Sequence, residues 1–327
     1  MRLLILGGTE FVGRAFAEAG LARDWEVTVF HRGRHAPPAG VRALHGDRND
    51  QRGIRALAGG EWDLVVDTWQ FAPTAVRDAA RLLSDRAGHY IYVSSRSVYE
   101  FPTGPGLDER APVVAGDPDD PAGDYARLKR GGELAAQAVF GDRALLVRAG
   151  LVLGPGENVG RLPWWLNRIA RGGLVPAPGP RELALQYIDA RDLAAWALTA
   201  AAGGVGGTFN TVGPPGQATM GGLLEACLAA TGSDAELRWI EPQVLLAAGV
   251  EPWNQLPIWI PPGDLYDTMH GGNVAKALAA GLRCRPVAET VADTWAWQRT
   301  LPNHAPAGTR HSPTGISAEV EAGLLNG

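Results

Sequence analysis

The opening segment restricts the fold more than any other feature. An apolar run, Leu3-Leu4-Ile5-Leu6, breaks into Gly7-Gly8-Thr9-Glu10-Phe11-Val12-Gly13, helical spacing follows from Phe11 to Ala19, and Glu26-Val27-Thr28-Val29-Phe30 returns to an extended pattern. Strand, glycine turn, helix and strand within about thirty residues have the dimensions of a βαβ unit. A strand that is apolar on both faces belongs inside a parallel sheet, covered by helices on either side.

The alternation continues. Val41–Leu44, Asp63–Asp67, Tyr90–Ser94 and Ala144–Arg148 read as strands, and Ala75–Ser84 and Tyr125–Phe140 as helices. The expected class is α/β: a Rossmann-type doubly wound parallel sheet over residues 1–150, with a smaller C-terminal substrate lobe over 151–300 interleaved with late sheet elements such as Gln186–Asp189 and Thr208–Thr211. Eight of the eleven tryptophans lie from Trp164 onward, which marks the change of character. Residues 301–327 read as a Pro/Gly/Ser-rich linker from Pro302 to Thr314 followed by a short terminal helix over Ile316–Leu325.

Composition excludes several classes. With 46% hydrophobic and 20% charged residues the chain is a globular protein. No run approaches a membrane span and no export signal is read, so the expected location is the cytoplasm. A net charge of −5 disfavours nucleic acid as partner, and a small-molecule substrate is expected, with a homodimer left open. Two cysteines, Cys227 and Cys284, make no disulfide framework, and the histidines have no metal-ligand spacing, so no metal is expected.

Ligands on such sheets gather beyond the carboxyl ends of the strands. The glycine turn there suits a dinucleotide pyrophosphate resting on helix N–H groups. The second strand ends in Phe30-His31-Arg32-Gly33-Arg34, without the carboxylate that would hold an adenosine 2′-hydroxyl. Arg32 and Arg34 either clamp a 2′-phosphate, favouring NADP(H) over NAD(H), or are ordinary solvated arginines. Asp47, after the third strand, either meets the adenine or caps the next helix.

Tyr125-Ala-Arg-Leu-Lys129 puts a phenol and an ammonium four residues apart on one helix face. An adjacent cation favours the ionised phenol, and bringing it from about 10 to neutrality takes roughly 4 kcal/mol. Tyr125 is then the general acid/base and Lys129 its tuner. The strand before it spills Ser94-Ser95-Arg96-Ser97, and three serines compete to hold the substrate oxygen. Arg161, Trp164, Trp165 and Arg168 fall near one helical face. They form either a cationic and aromatic wall for an acidic substrate or lobe core with arginines reaching water. Trp69, Arg96, Arg161 and Trp164 are the candidate substrate contacts. Asp189 and Asp192 read as helix capping, and Cys227 as core.

Together the glycine loop, Ser-Ser-x-Ser-Val-Tyr, Tyr125-x-x-x-Lys129, Arg148-Ala-Gly-Leu-Val-Leu-Gly-Pro155 and Tyr187-Ile-Asp-Ala-Arg-Asp192 resemble the extended short-chain dehydrogenase/reductases over residues 1 to about 300, in particular the atypical epimerase/dehydratase-like branch. The resemblance implies that Ser95, Tyr125 and Lys129 form the catalytic triad, with Lys129 also holding the nicotinamide ribose. It further implies that Gly7, Gly8 and Gly13, with Thr9, Phe11 and Val12 between them, form the cofactor loop, and that Asp47 meets the adenine. The sequence departs from the family at Glu10, in place of the central glycine, at His31-Arg32, and at Trp69, where small residues usually border the nicotinamide. The expected activity is hydride transfer between NADP(H) and a carbinol or carbonyl carbon. Two alternatives stand beside it: a sugar-nucleotide epimerase or dehydratase that retains its cofactor, and a non-catalytic nucleotide-sensing or RNA-binding scaffold, since some relatives of this branch associate with RNA.

Overall fold

The computed structural model describes residues 1–302 and 315–326. The chain begins β1 (Arg2–Leu6), α1 (Phe11–Leu21), β2 (Glu26–His31), β3 (Arg42–His45), the single turn α2 (Gln51–Ile54), β4 (Trp62–Asp67), α3 (Pro73–Leu83), β5 (Ala87–Ser95), α4 (Tyr125–Phe140) and β6 (Ala144–Ala149). It continues with β7 (Leu151–Leu153), α5 (Arg161–Ala170), β8 (Leu174–Pro178), β9 (Ala184–Leu185), β10 (Tyr187–Asp189), α6 (Ala190–Ala202) and β11 (Gly207–Thr211). The remainder is β12 (Ala218–Thr219), α7 (Met220–Thr231), β13 (Glu236–Ile240), α8 (Pro242–Ala247), β14 (Pro252–Trp253), β15 (Leu256–Pro257), α9 (Asp264–His270), α10 (Ala275–Ala279), α11 (Val287–Gln298) and α12 (Ala318–Asn326).

Seven parallel strands form one sheet in the order β11-β6-β5-β4-β1-β2-β3. Chain order reverses between β1 and β4, so the crevice of the doubly wound fold opens beyond their carboxyl ends. Alternate residues serve opposite faces. Leu3, Ile5, Val27 and Val29 pack with Phe16 of α1 and Leu193 and Trp196 of α6, while Leu4, Leu6, Val65, Tyr90 and Tyr92 pack with α3 and α4. Both layers are needed because every central strand is apolar on both sides.

The first lobe is closed by residues that come late in the chain. β11 pairs with β6 at the sheet edge, and Ala277 and Leu282 join the α1–α6 layer. Gln186–Asp189, expected among the late sheet elements, forms β10 instead as partner of β7, in a separate two-stranded ladder. The second lobe has its own core around Trp165 and Trp259, built from α5, α7, α11 and the β8–β13 pair. Its terminal helix, expected over Ile316–Leu325, is α12, tied to α5 by the Arg168–Glu321 ion pair. Most of the expected linker, residues 303–314, lies outside the described residues. Among those described, no helix is long and apolar enough to cross a membrane, and no group of three His, Cys, Asp or Glu side chains could hold a metal ion.

Candidate active site

The loop from β1 to α1 approaches its neighbours too closely for side chains. Gly7 and Gly8 have φ of +120° and +92°. A Cβ on Gly8 would stand 2.6 Å from Val29 Cγ1, and one on Gly13 2.5 Å from the Gly8 nitrogen. The backbone thus forms a bare cradle, and α1 starts without a side-chain cap, leaving its first N–H groups available to an anion. These features fit a dinucleotide pyrophosphate. Glu10 strains nothing at the position where the family carries glycine: its φ of −129° is ordinary extended backbone, and its carboxylate meets His35 Nε2 at 3.5 Å.

The cleft beyond β1, β2, β3 and β4 is lined by this loop together with Thr9, Glu10, His31, Arg32, Arg34, Asp47, Arg48 and Trp69. Arg32 and Arg34 are exposed. His31 is buried, its Nδ1 accepting the Gly33 N–H at 3.2 Å and its ring 4.8 Å from that of His45. Burial and His45 both lower its pKa, so it is neutral at pH 7. Asp47 does not cap α2. That role belongs to Asp50, which accepts the Arg52 N–H, whereas Asp47 Oδ1 turns back onto Asn49.

Sequence reasoning missed Arg48. Its guanidinium grips Asp67 fork to fork at 2.6 and 2.7 Å, with both side chains buried, and lies over the Trp69 indole at 4.9 Å. The available signal was Asp67 itself, a carboxylate ending an apolar strand, which demands a buried partner. Burial would raise the pKa of Asp67, but Arg48 outweighs it and holds the carboxyl below its usual range. Trp69, expected beside the nicotinamide, stands in the wall shared with Arg32 and Asp47.

The three serines separate by their partners. Ser94 Oγ donates to buried Glu133 at 2.7 Å, and Ser97 Oγ lies 3.1 Å from Ser95 Oγ. Of the three, Ser95 is the one whose hydroxyl acts on the Tyr125 phenol, pulling its pKa down. Tyr125 opens α4 immediately after its cap, Asp124, which accepts the Arg127 N–H. The residue is 46% exposed, yet its hydroxyl end is desolvated. Burial raises the phenol's pKa above its usual value, against the opposing pull of Ser95 and Arg161.

The expected tuning by Lys129 takes a different form. Lys129 Nζ donates to the carbonyls of Trp69 and Val93, both at 2.6 Å, rather than acting on the phenol, and burial pushes the amine down to about 7. The cation acting on Tyr125 is Arg161, from the first turn of α5. Arg161 lies over the Trp253 ring at 4.8 Å, and its backbone N–H is held by Glu157 at 2.7 Å.

The other candidates of the α5 stripe diverge. Trp165 is core, and Arg168 does not reach for water: it is 6% exposed and donates to the carbonyls of Gly172 and Leu174. Trp164 packs edge-on against Trp165 and beside Gly315. Arg96, a candidate substrate contact, is buried and spent on Gln186 and the carbonyls of Thr268 and Met269, where it ties the lobes together.

A family model described as "NAD dependent epimerase/dehydratase family" matches residues 3–211. No curated protein matches the chain. Among solved structures it is similar to UDP-glucose 4-epimerase from Thermus thermophilus in complex with NAD (20% identity, 92% of this chain and 100% of that one covered, TM-score 0.63). It is also similar to the Bordetella bronchiseptica enzyme WbmH in complex with NAD+ (17% identity, 91% and 98%, TM-score 0.63). A third is UDP-glucose 4-epimerase from Thermotoga maritima with UDP-glucose (16% identity, 92% and 99%, TM-score 0.66). At these identities the likeness is one of fold.

Proposed function

The chain belongs to the NAD-dependent epimerase/dehydratase family, and from that premise we propose that it is a nicotinamide-dependent oxidoreductase of the extended short-chain type acting at a carbinol or carbonyl carbon. The observation that carries this reading is the bare glycine cradle at the start of α1, opening on the cleft beyond the carboxyl ends of β1 to β4, with Ser95 at the carboxyl end of β5 and Tyr125 and Lys129 one turn apart on α4. A bound nicotinamide supplies hydride donor or acceptor chemistry at its ring.

The protein's own residues do the rest. Tyr125 passes its phenolic proton to the substrate oxygen during reduction and recovers it during oxidation. Ser95 Oγ donates to the same oxygen and fixes it at attack distance. A phenol raised by burial stays protonated at neutrality, so it has a proton to give and is a poor base there. Gly7, Gly8 and Gly13 with the start of α1 hold the pyrophosphate, and Lys129, its amine fixed by the carbonyls of Trp69 and Val93 behind the cleft wall, is the residue assigned to the ribose.

NADP(H) is the preferred cofactor in this reading. What supports it is a second strand that ends without a carboxylate and two exposed arginines on the cleft wall.

The test is Tyr125→Phe, assayed for NADPH oxidation against carbonyl compounds and keto-sugar nucleotides, with cofactor binding measured by fluorescence. Binding should persist and most turnover should disappear. Unchanged turnover refutes the acid/base assignment. The Arg161–Trp253 stack also favours a second reading, since a cation and an aromatic face suit a sugar nucleotide whose epimerisation or dehydration leaves the cofactor unconsumed. Product formation without net NADPH loss selects that reading.

A further inference from the structure

Lys129 is one of only two lysines in the chain, with Lys276. It is 3% exposed, and among the described residues no carboxylate lies within ion-pair distance of it. The two carboxylates in its surroundings are already bound by arginines: Asp67 by Arg48, and Glu133 by Arg148 and Arg130. Instead the amine has two carbonyls, those of Trp69 and Val93, and the face of Tyr92 at 4.9 Å.

Trp69 is held through its backbone and its side chain. Its N–H donates to Asp67 Oδ1 at 2.9 Å, its carbonyl also accepts the Tyr92 hydroxyl at 3.1 Å, and its indole N–H donates to the Ala72 carbonyl at 3.0 Å. Asp67 is itself fixed by the Arg48 fork and by the Tyr90 hydroxyl at 2.6 Å. Arg48 is anchored in turn by the Ala75 carbonyl at 3.0 Å.

We propose that Arg48 and Asp67 are positioning residues for Lys129: they clamp the backbone of Trp69, whose carbonyl holds the amine one helical turn from Tyr125, and their opposed charges set the charge the amine carries. Because Arg48 and Trp69 also line the cofactor cleft, the cleft wall and the lysine form one rigid unit. The proposal rests on the functional reading above, which gives Lys129 its place in the site.

The charged and titratable groups facing the amine come from each packed element: Asp67 of β4, Arg48 of the β3–α2 connection, Tyr92 of β5 and Glu133 of α4. Burial lowers the amine to about 7, Asp67 raises it, Arg48 lowers it and Glu133 raises it. A neutral amine has two N–H groups for its two carbonyls, so this environment accommodates both charge states.

With two lysines, isotope-labelled lysine gives two ε-methylene NMR signals, and Lys276→Arg identifies the one from Lys129. The expected midpoint in the unaltered chain is about 7. Asp67→Asn keeps an acceptor for the Trp69 N–H but deletes the negative charge, and should shift the midpoint to lower pH. Arg48→Met/Asp67→Asn removes the cation as well and should recover part of that shift. This double variant leaves no buried charge unpaired, so it keeps the test open if the single variant does not fold. Relative to the unaltered chain its midpoint should still lie lower, because Asp67 acts on the amine more strongly than Arg48. A Lys129 midpoint that stays in place or rises in either folded variant overturns the proposal. Failure of the functional reading shows separately, as full turnover in Tyr125→Phe.

Discussion

Glu133 and Arg148 meet fork to fork at 2.8 and 2.9 Å with their side chains 0% and 4% exposed, joining the helix that carries Tyr125 to the strand beside Ser95. Ser94 and Arg130 complete the carboxylate's bonds. Removing one partner would leave the other charge buried and uncompensated. Glu133→Gln should therefore cost about 3–5 kcal/mol of stability at neutral pH. Burial would raise the pKa of Glu133, but the Arg148 hydrogen bonds and charge outweigh it and hold the carboxyl below its usual range. A depressed folded-state pKa gives stability that is present above the unfolded value and lost as pH falls through the folded one. Urea unfolding of the unaltered chain should thus weaken below about pH 4. Glu133→Gln should show a smaller acid-dependent loss, and an equal one would mean that the pair contributes nothing to it.

Gly132 is required by the next layer of the same helix. A Cβ there would stand 2.2 Å from the Tyr92 hydroxyl, and Tyr92 is fully buried with its O–H committed to the Trp69 carbonyl. Helix propensity alone would make Gly132→Ala stabilising by about 1 kcal/mol. Overpacking should reverse the sign and cost about 1–3 kcal/mol. In a double-mutant cycle with Tyr92→Leu, which empties the contested space, the alanine should lose its penalty. Additive effects would remove the steric explanation.

Much of this was readable from sequence because strands covered on both faces are apolar throughout. β1, β2 and β4 announce themselves in this way, and the helix over Tyr125–Phe140 has the bounds its pattern predicts. The second lobe was harder: β9, β12, β14 and β15 are two residues each, too short to show any period. Choosing among the three serines was beyond local reading, because the partner that withdraws Ser94 lies 39 residues away. The partner of Arg161, Trp253 on β14, is more remote still in sequence. Helical spacing correctly placed Tyr125 and Lys129 one turn apart. It could not show that two backbone carbonyls claim the amine.

Cofactor selectivity should rest on the two exposed arginines after β2. A charge-assisted bond to a 2′-phosphate is worth about 1.5–3 kcal/mol, so Arg32→Ala should weaken NADPH binding by about tenfold or more while leaving NADH nearly unchanged. Arg34→Ala should act in the same direction. Rising salt should erode the NADPH preference, since these side chains are solvated and screened. Titration calorimetry with both nucleotides is decisive, and equal weakening of the two would remove the phosphate clamp.

Glu157 gives the opposite pH signature to Glu133. It is fully buried at the start of α5, where it accepts the N–H groups of Arg161 at 2.7 Å and Leu162 at 3.2 Å, and burial pushes it up to about 7 against the pull of Arg161. Its folded-state pKa lies above the unfolded one, so between the two the native protein holds more protons than the unfolded chain and stability falls as pH rises. Taken over the interval from the usual carboxylate value to about 7, that loss is about 3 kcal/mol. Glu157→Gln keeps an oxygen acceptor for the Arg161 N–H and cannot ionise. Its stability relative to the unaltered chain should therefore improve by about 2.5 kcal/mol between pH 5 and pH 8. Urea midpoints for both proteins at the two pH values measure this directly. Parallel declines would mean that Glu157 ionises as freely in the folded chain as in the unfolded one.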